Sequence, residues 1–247
     1  MTAEFRPMSD TGYRRVKSVL APVFSRLWPK TVTGLGNIPV DGPAILAPNH
    51  ISFLDSVFLA EIAPRRVFFI GKAEYLDSWK TRYLFPALGM IPVDRRGGDA
   101  AEAALDAAAS VLAAGHLFGI FPEGTRARDG FLHRGRTGVA RLALRTGAPI
   151  VPVGIEGTDE IQPPDSRLPR ILKPCTFRFG RAIDVSRFAG RQGDGRVLRQ
   201  ITDQVMYEVA ELSGRTYVDT YAGRDVRTEP TGMAAADPPA SAPAVSS

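Results

Sequence analysis

Apolar residues recur along this chain with two spacings, and the change of spacing divides it. From Tyr13 they fall at Val16, Val19, Leu20, Val23, Phe24, Leu27 and Trp28, the three- and four-residue steps of one helix face. Arg14, Arg15, Lys17 and Arg26 take the other face, and Pro22 stands inside the stripe as a point of bending. Two destinations suit a basic amphipathic helix ending in Trp. One is the membrane interface, with rings at headgroup depth and cations over anionic lipid. The other is the core of the domain that follows.

Beyond residue 30, short apolar runs alternate with helical stripes. Strands are predicted at 31–33, 44–47, 66–70, 90–93, 117–121, 150–155 and 176–179. Helices are predicted at 53–62, 78–88, 100–114, 137–145 and 195–213, with Gly115 and Gly147 at C-cap positions. This alternation implies an α/β domain with a mixed central sheet flanked by helices. Pro149 and Pro152 argue that the 150–155 strand lies at an edge or carries a bulge. The expected organisation is an amphipathic helix over 1–30, a folded domain over 31–223 and a disordered tail over 224–247. The tail is rich in Ala, Pro, Ser and Thr and cannot offset its ordering entropy.

Composition narrows the classes. At 247 residues, 44% hydrophobic and 23% charged, the chain reads as globular. Its longest apolar runs, 67–70 and 117–121, fall far short of the ~18 residues that span a bilayer. No small-x-small cleavage site follows the first apolar segment, so no signal peptide is expected. One cysteine, Cys175, excludes an internal disulfide framework and a cysteine-rich zinc site. His50, His116 and His133 lie far apart, which argues against a histidine metal cluster. The net charge of +5 rests on 26 Arg against 5 Lys. Arginine pairs with phosphate through a planar fork, although a high-GC coding sequence produces the same excess. Zinc fingers, aromatic RNA-binding motifs and basic blocks are absent, so nucleic acid is not an expected partner.

Three polar segments follow strands and carry the candidate chemistry. In Asn49-His50-Ile51-Ser52-Phe53-Leu54-Asp55, Ser52 is placed to cap the next helix and Asp55 to complete a capping-box-like pair. The same turn brings Asp55 back towards His50, where a carboxylate on one ring nitrogen makes the other a better base. Such a pair needs no enzyme nucleophile if the substrate brings its own hydroxyl. At Met90-Ile91-Pro92-Val93-Asp94-Arg95, a strand delivers Arg95 to its end, either to bind phosphate or to pair with Asp94. In Phe121-Pro122-Glu123-Gly124-Thr125-Arg126, the amides near Gly124, the Thr125 hydroxyl and Arg126 suit an anion. Glu123 is placed to orient those arginines or touch a substrate hydroxyl. The alternative for this segment is a polar exposed turn. No phosphate loop or serine nucleophile elbow accompanies these segments.

Read together with the strand 148–155, the ordered segments NHISFLD, GMIPVDR, FPEGTRAR and IVPVGI resemble the glycerolipid acyltransferases, in particular the lysophosphatidate acyltransferases, over roughly 31–215. The resemblance makes 31–223 an acyltransferase domain and His50 and Asp55 the catalytic pair. It implies that Arg95, Glu123, Gly124, Thr125 and Arg126, with Lys72 as a weaker candidate, serve the substrate phosphate. Ala127 departs from the family's usual serine, which puts one acceptor contact in question. The implied reaction moves a fatty acyl group from acyl-CoA or acyl carrier protein to the sn-2 hydroxyl of 1-acylglycerol-3-phosphate. No metal or redox cofactor is implied, the thioester being a co-substrate. Alternatives are another acceptor (glycerol-3-phosphate, a lyso-ornithine lipid or another lysophospholipid) or a thioesterase. A lipid substrate requires a membrane surface, reached through residues 12–28 on the cytoplasmic face of the plasma membrane.

Overall fold

The computed structural model describes residues 10–72, 89–93, 100–164, 166 and 168–223. The first helix, α1 (Asp10–Leu27), leads into β1 (Lys30–Thr33), β2 (Ala44–Pro48), α2 (Leu54–Ile62), β3 (Val67–Lys72) and β4 (Met90–Val93). Then come α3 (Ala100–Ala113), β5 (Leu117–Gly119), β6 (Leu132–His133), α4 (Gly138–Thr146) and β7 (Ile150–Glu156). The chain closes with α5 (Thr158–Ile161), β8 (Cys175–Phe179), α6 (Gly195–Ser213) and β9 (Tyr217–Val218). The expected helix at 78–88 and the tail after 223 lie outside the described residues.

Seven strands form one mixed sheet in the order β1-β8-β7-β2-β5-β3-β4, and only β7 and β8 run antiparallel. Alternation along β2 shows why the sheet needs cover on both faces. Leu46 joins one apolar cluster with Leu54, Phe58 and Trp28 from the α1 and α2 side. Ile45 and Ala47 join the other, with Leu112, Val139, Leu142, Ile201 and Val205 from α3, α4 and α6. Burial of both faces makes the short apolar runs near-continuous, as in parallel sheets generally. Against β7, α6 packs so closely that a Cβ on Gly154 would stand 2.3 Å from the carbonyl carbon of Leu212.

Strand β7 is interior, between β8 and β2, and not at an edge. Proline is tolerated there because its missing N–H falls where a ladder ends. Pairing with β8 begins at Val153, and the Pro152 carbonyl still accepts from Gly180 N at 2.9 Å.

Helix α1 divides its apolar stripe. Tyr13 and Trp28 are buried; the Tyr13 hydroxyl donates to Ala60 O at 2.9 Å and Trp28 Nε1 to Arg170 O at 2.8 Å. Phe24 packs tilted against Trp28 and edge-on to Phe58, with centroids 5.3 and 6.3 Å away. Val19 and Val23, by contrast, are 68% and 52% exposed. No helix among the described residues is long and apolar enough to cross a membrane.

Candidate active site

The parallel strands β2, β5, β3 and β4 end on the same side of the sheet, where ligands of open α/β sheets gather. There a cavity of about 1060 Å³ is lined by His50, Phe121, Gly124, Thr125 and Arg126, among others. His50 follows β2 directly. The residue before it fixes the exit: Asn49 Nδ2 donates to Ile155 O at 2.9 Å and Ile155 N donates to Asn49 Oδ1 at 2.7 Å. The side-chain amide thereby acts as one more strand residue beside β7.

His50 Nδ1 lies 2.9 Å from Asp55 Oδ2. The same oxygen accepts from Ile51 N at 2.8 Å and Ser52 N at 2.9 Å, while Oδ1 accepts from the Thr158 hydroxyl. Ser52 Oγ in turn accepts from Leu54 N at 3.3 Å. The expected cap at Ser52 is not formed: the N-cap of α2 is Phe53, with no side-chain cap hydrogen bond, and Asp55 instead gathers the Ile51 and Ser52 amides around the oxygen that holds the imidazole. A carboxylate oxygen accepts, so Nδ1 carries the proton facing Asp55 and Nε2 is left as the basic nitrogen. The His50 ring stacks on Phe121 with centroids 3.8 Å apart and planes 21° apart. Asp55 and Thr158 are fully buried, whereas the His50 side chain keeps 19% exposure towards the cavity.

Glu123 turns away from the cavity and neither orients the arginines nor meets a substrate hydroxyl. It is fully buried; Oε1 accepts from His50 N at 2.9 Å and Oε2 from His133 N at 3.0 Å. Burial raises its carboxyl to about 7, against the opposing pull of those two amides. The carboxylate thus joins the His50 loop to β6. Ala127 reinforces the joint, donating its N–H to His50 O at 2.8 Å. Its side chain is buried and is not among the residues that line the cavity.

Gly124, Thr125 and Arg126 line the cavity together with His50. Lys72 closes β3 opposite Val93, and its side chain lies outside the described residues, as do Asp94 and Arg95. Among the described residues, no group of His, Cys, Asp and Glu is arranged to hold a metal ion. The sequence reading missed three contributors. Asn49 and Phe121 sit inside the recognised motifs. Thr158 follows β7 at a Gly-Thr step that signals only a helix start.

The comparisons bear on the family and the fold. The Acyltransferase family model matches residues 30–156, and the chain belongs to that family. It is similar to the 1-acyl-sn-glycerol-3-phosphate acyltransferase BAT2, chloroplastic, of Brassica napus, at 31% identity over 55% of this chain and 39% of that protein. A 1-acyl-sn-glycerol-3-phosphate acyltransferase of Borreliella burgdorferi is 34% identical over 52% of this chain and 51% of its own. The chain thus spans about half or less of these curated relatives. The crystal structure of the 1-acyl-sn-glycerophosphate (LPA) acyltransferase PlsC from Thermotoga maritima superposes with a TM-score of 0.65 at 26% identity. That match covers 81% of this chain and 79% of the other.

Proposed function

We propose that this protein transfers a fatty acyl group from an acyl thioester to the sn-2 hydroxyl of 1-acylglycerol-3-phosphate, giving phosphatidic acid. The observation that carries this reading is the His50–Asp55 pair opening into the same cavity as Arg126. His50 Nε2 takes the proton of the acceptor hydroxyl as its oxygen attacks the thioester carbonyl. Asp55 steadies the imidazolium that forms, and Phe121 lies against its face. The tetrahedral adduct then collapses, the C–S bond breaks, and the imidazolium returns its proton to the thiolate. General-base assistance of this kind contributes about 10²–10⁴-fold, and holding both substrates together contributes more. Arg126 holds the acceptor phosphate, with Arg95 and Lys72 as its companions.

On this reading the protein works peripherally at the cytoplasmic face of the plasma membrane, with residues 12–28 as the docking helix. The exposed Val19 and Val23 on a helix carrying Arg14, Arg15 and Arg26 support that role.

Purified protein incubated with a long-chain acyl-CoA or acyl carrier protein and a panel of acceptors tests the reading. Lysophosphatidate is expected to be acylated faster than glycerol-3-phosphate, a lyso-ornithine lipid or other lysophospholipids, and His50→Ala to abolish transfer. Preference for another acceptor replaces the substrate. Release of free fatty acid at a rate no acceptor changes makes the protein a thioesterase and ends the proposal.

A further inference from the structure

The cavity carries more positive charge than one acceptor phosphate requires. Arg126, Arg128, Arg136 and Arg141 all line it, and among the described residues no Asp or Glu does. None of the four has a carboxylate partner among the described residues, whereas Arg134 beside them pairs with Asp219 at 3.5 Å. A phosphate monoester brings a charge of about −1.5 to −2. One acceptor headgroup therefore leaves roughly two arginines uncompensated.

Arg136 is also held in place. Its chain lies across Gly124, where a Cβ would stand 2.9 Å from Arg136 Cδ. Its guanidinium lies over the Tyr221 ring at 5.1 Å, with Arg134 over the same ring at 5.5 Å. The glycine at φ +75° thus makes room for an arginine outside the recognised motifs. Arg141 projects from α4, whose first residue, Gly138, also lines the cavity. A wall of Ala100, Ala101, Ala104 and Leu105 from α3 faces the same space.

We propose that Arg136 and Arg141 bind phosphate groups of coenzyme A on the acyl donor, while Arg126 serves the acceptor. Coenzyme A fits the surplus because it carries a pyrophosphate and a separate phosphomonoester, two anionic groups beyond the acceptor's own. Pantetheine without those phosphates has nothing for these side chains to hold. The inference rests on the acyl-transfer reading, and its test is built to part the two.

Initial rates are measured with saturating lysophosphatidate and three donors: a long-chain acyl-CoA, its 3′-dephospho form and the matching acyl-pantetheine. Arg136→Gln and Arg141→Gln are expected to raise the KM for acyl-CoA roughly tenfold each. The same variants leave the acyl-pantetheine rate and the lysophosphatidate KM within twofold, and Arg181→Gln, at an exposed arginine after β8 that does not line the cavity, changes nothing. Tyr221→Leu, which frees Arg136, shows a smaller rise for acyl-CoA alone. A raised lysophosphatidate KM in the Arg136 and Arg141 variants, or equal losses on all three donors, overturns the assignment. Equilibrium dialysis of coenzyme A against wild type and the double variant reads the site without turnover. Binding lost in the double variant supports the site even if no lysophospholipid is acylated. Absence of binding to wild type, with lysophosphatidate still acylated from acyl carrier protein, overturns the site and leaves the reaction standing.

Discussion

Asn49 and Ile155 exchange two hydrogen bonds, at 2.9 and 2.7 Å, although 106 residues separate them. This clamp sets where the chain leaves β2 and hence where His50 stands. Asn49→Ala leaves the Ile155 N–H and C=O buried without partners, at about 1–3 kcal/mol each. The urea midpoint is expected to fall accordingly. A wild-type midpoint in the alanine variant rejects the clamp.

Asp55→Asn tests the orienting carboxylate. The amide oxygen can still accept from Ile51 N and Ser52 N, so the fold is expected to persist by circular dichroism. It no longer specifies which nitrogen of His50 carries the proton, and kcat is expected to fall by about 10²–10⁴. Retention of near-native kcat would remove Asp55 from the mechanism.

Glu123 predicts a pH-dependent stability of unusual sign for a carboxylate. Its folded value of about 7 lies above the reference 4.5, so between these the folded chain holds more protons than the unfolded one. This contribution favours folding below the lower value and is lost as pH rises through the upper, amounting to about 3 kcal/mol. Urea midpoints from pH 5 to 8 are expected to decline more steeply in wild type than in Glu123→Gln. Parallel slopes would refute the assignment.

The exposed face of α1 gives a test that spares the core. Val19 and Val23 are exposed, while Tyr13 and Trp28 hold the helix to the domain. The double variant Val19→Asp, Val23→Asp is expected to co-sediment several-fold less with anionic vesicles at an unchanged melting temperature. Undiminished co-sedimentation rejects the docking role.

The sequence carried the alternation of strands and helices because both faces of the sheet demand apolar residues. It also carried the His50–Asp55 approach, which one turn of local chain determines. What it withheld depends on distant partners. Pro152 suggested an edge, yet the ladder to β8 happens to begin one residue later. Glu123 offered a polar side chain in a loop, and only the tertiary approach of the His50 and His133 amides turned it inward. Thr158 reaches Asp55 from beyond β7, with no local pattern to announce it. Strands β6 and β9 are two residues each, too short for any periodicity to register.

That short pair has a consequence for synthesis. Leu132 and His133 pair with Tyr217 and Val218, and the His133 ring lies between the Asp129 carboxylate and the carbonyl of Thr220. The loop carrying Arg126 is therefore fastened by residues translated near the end of the described domain. The His50–Asp55 pair also depends on later chain, through Ile155 and Thr158, so both sides of the cavity are completed by residues distant in sequence.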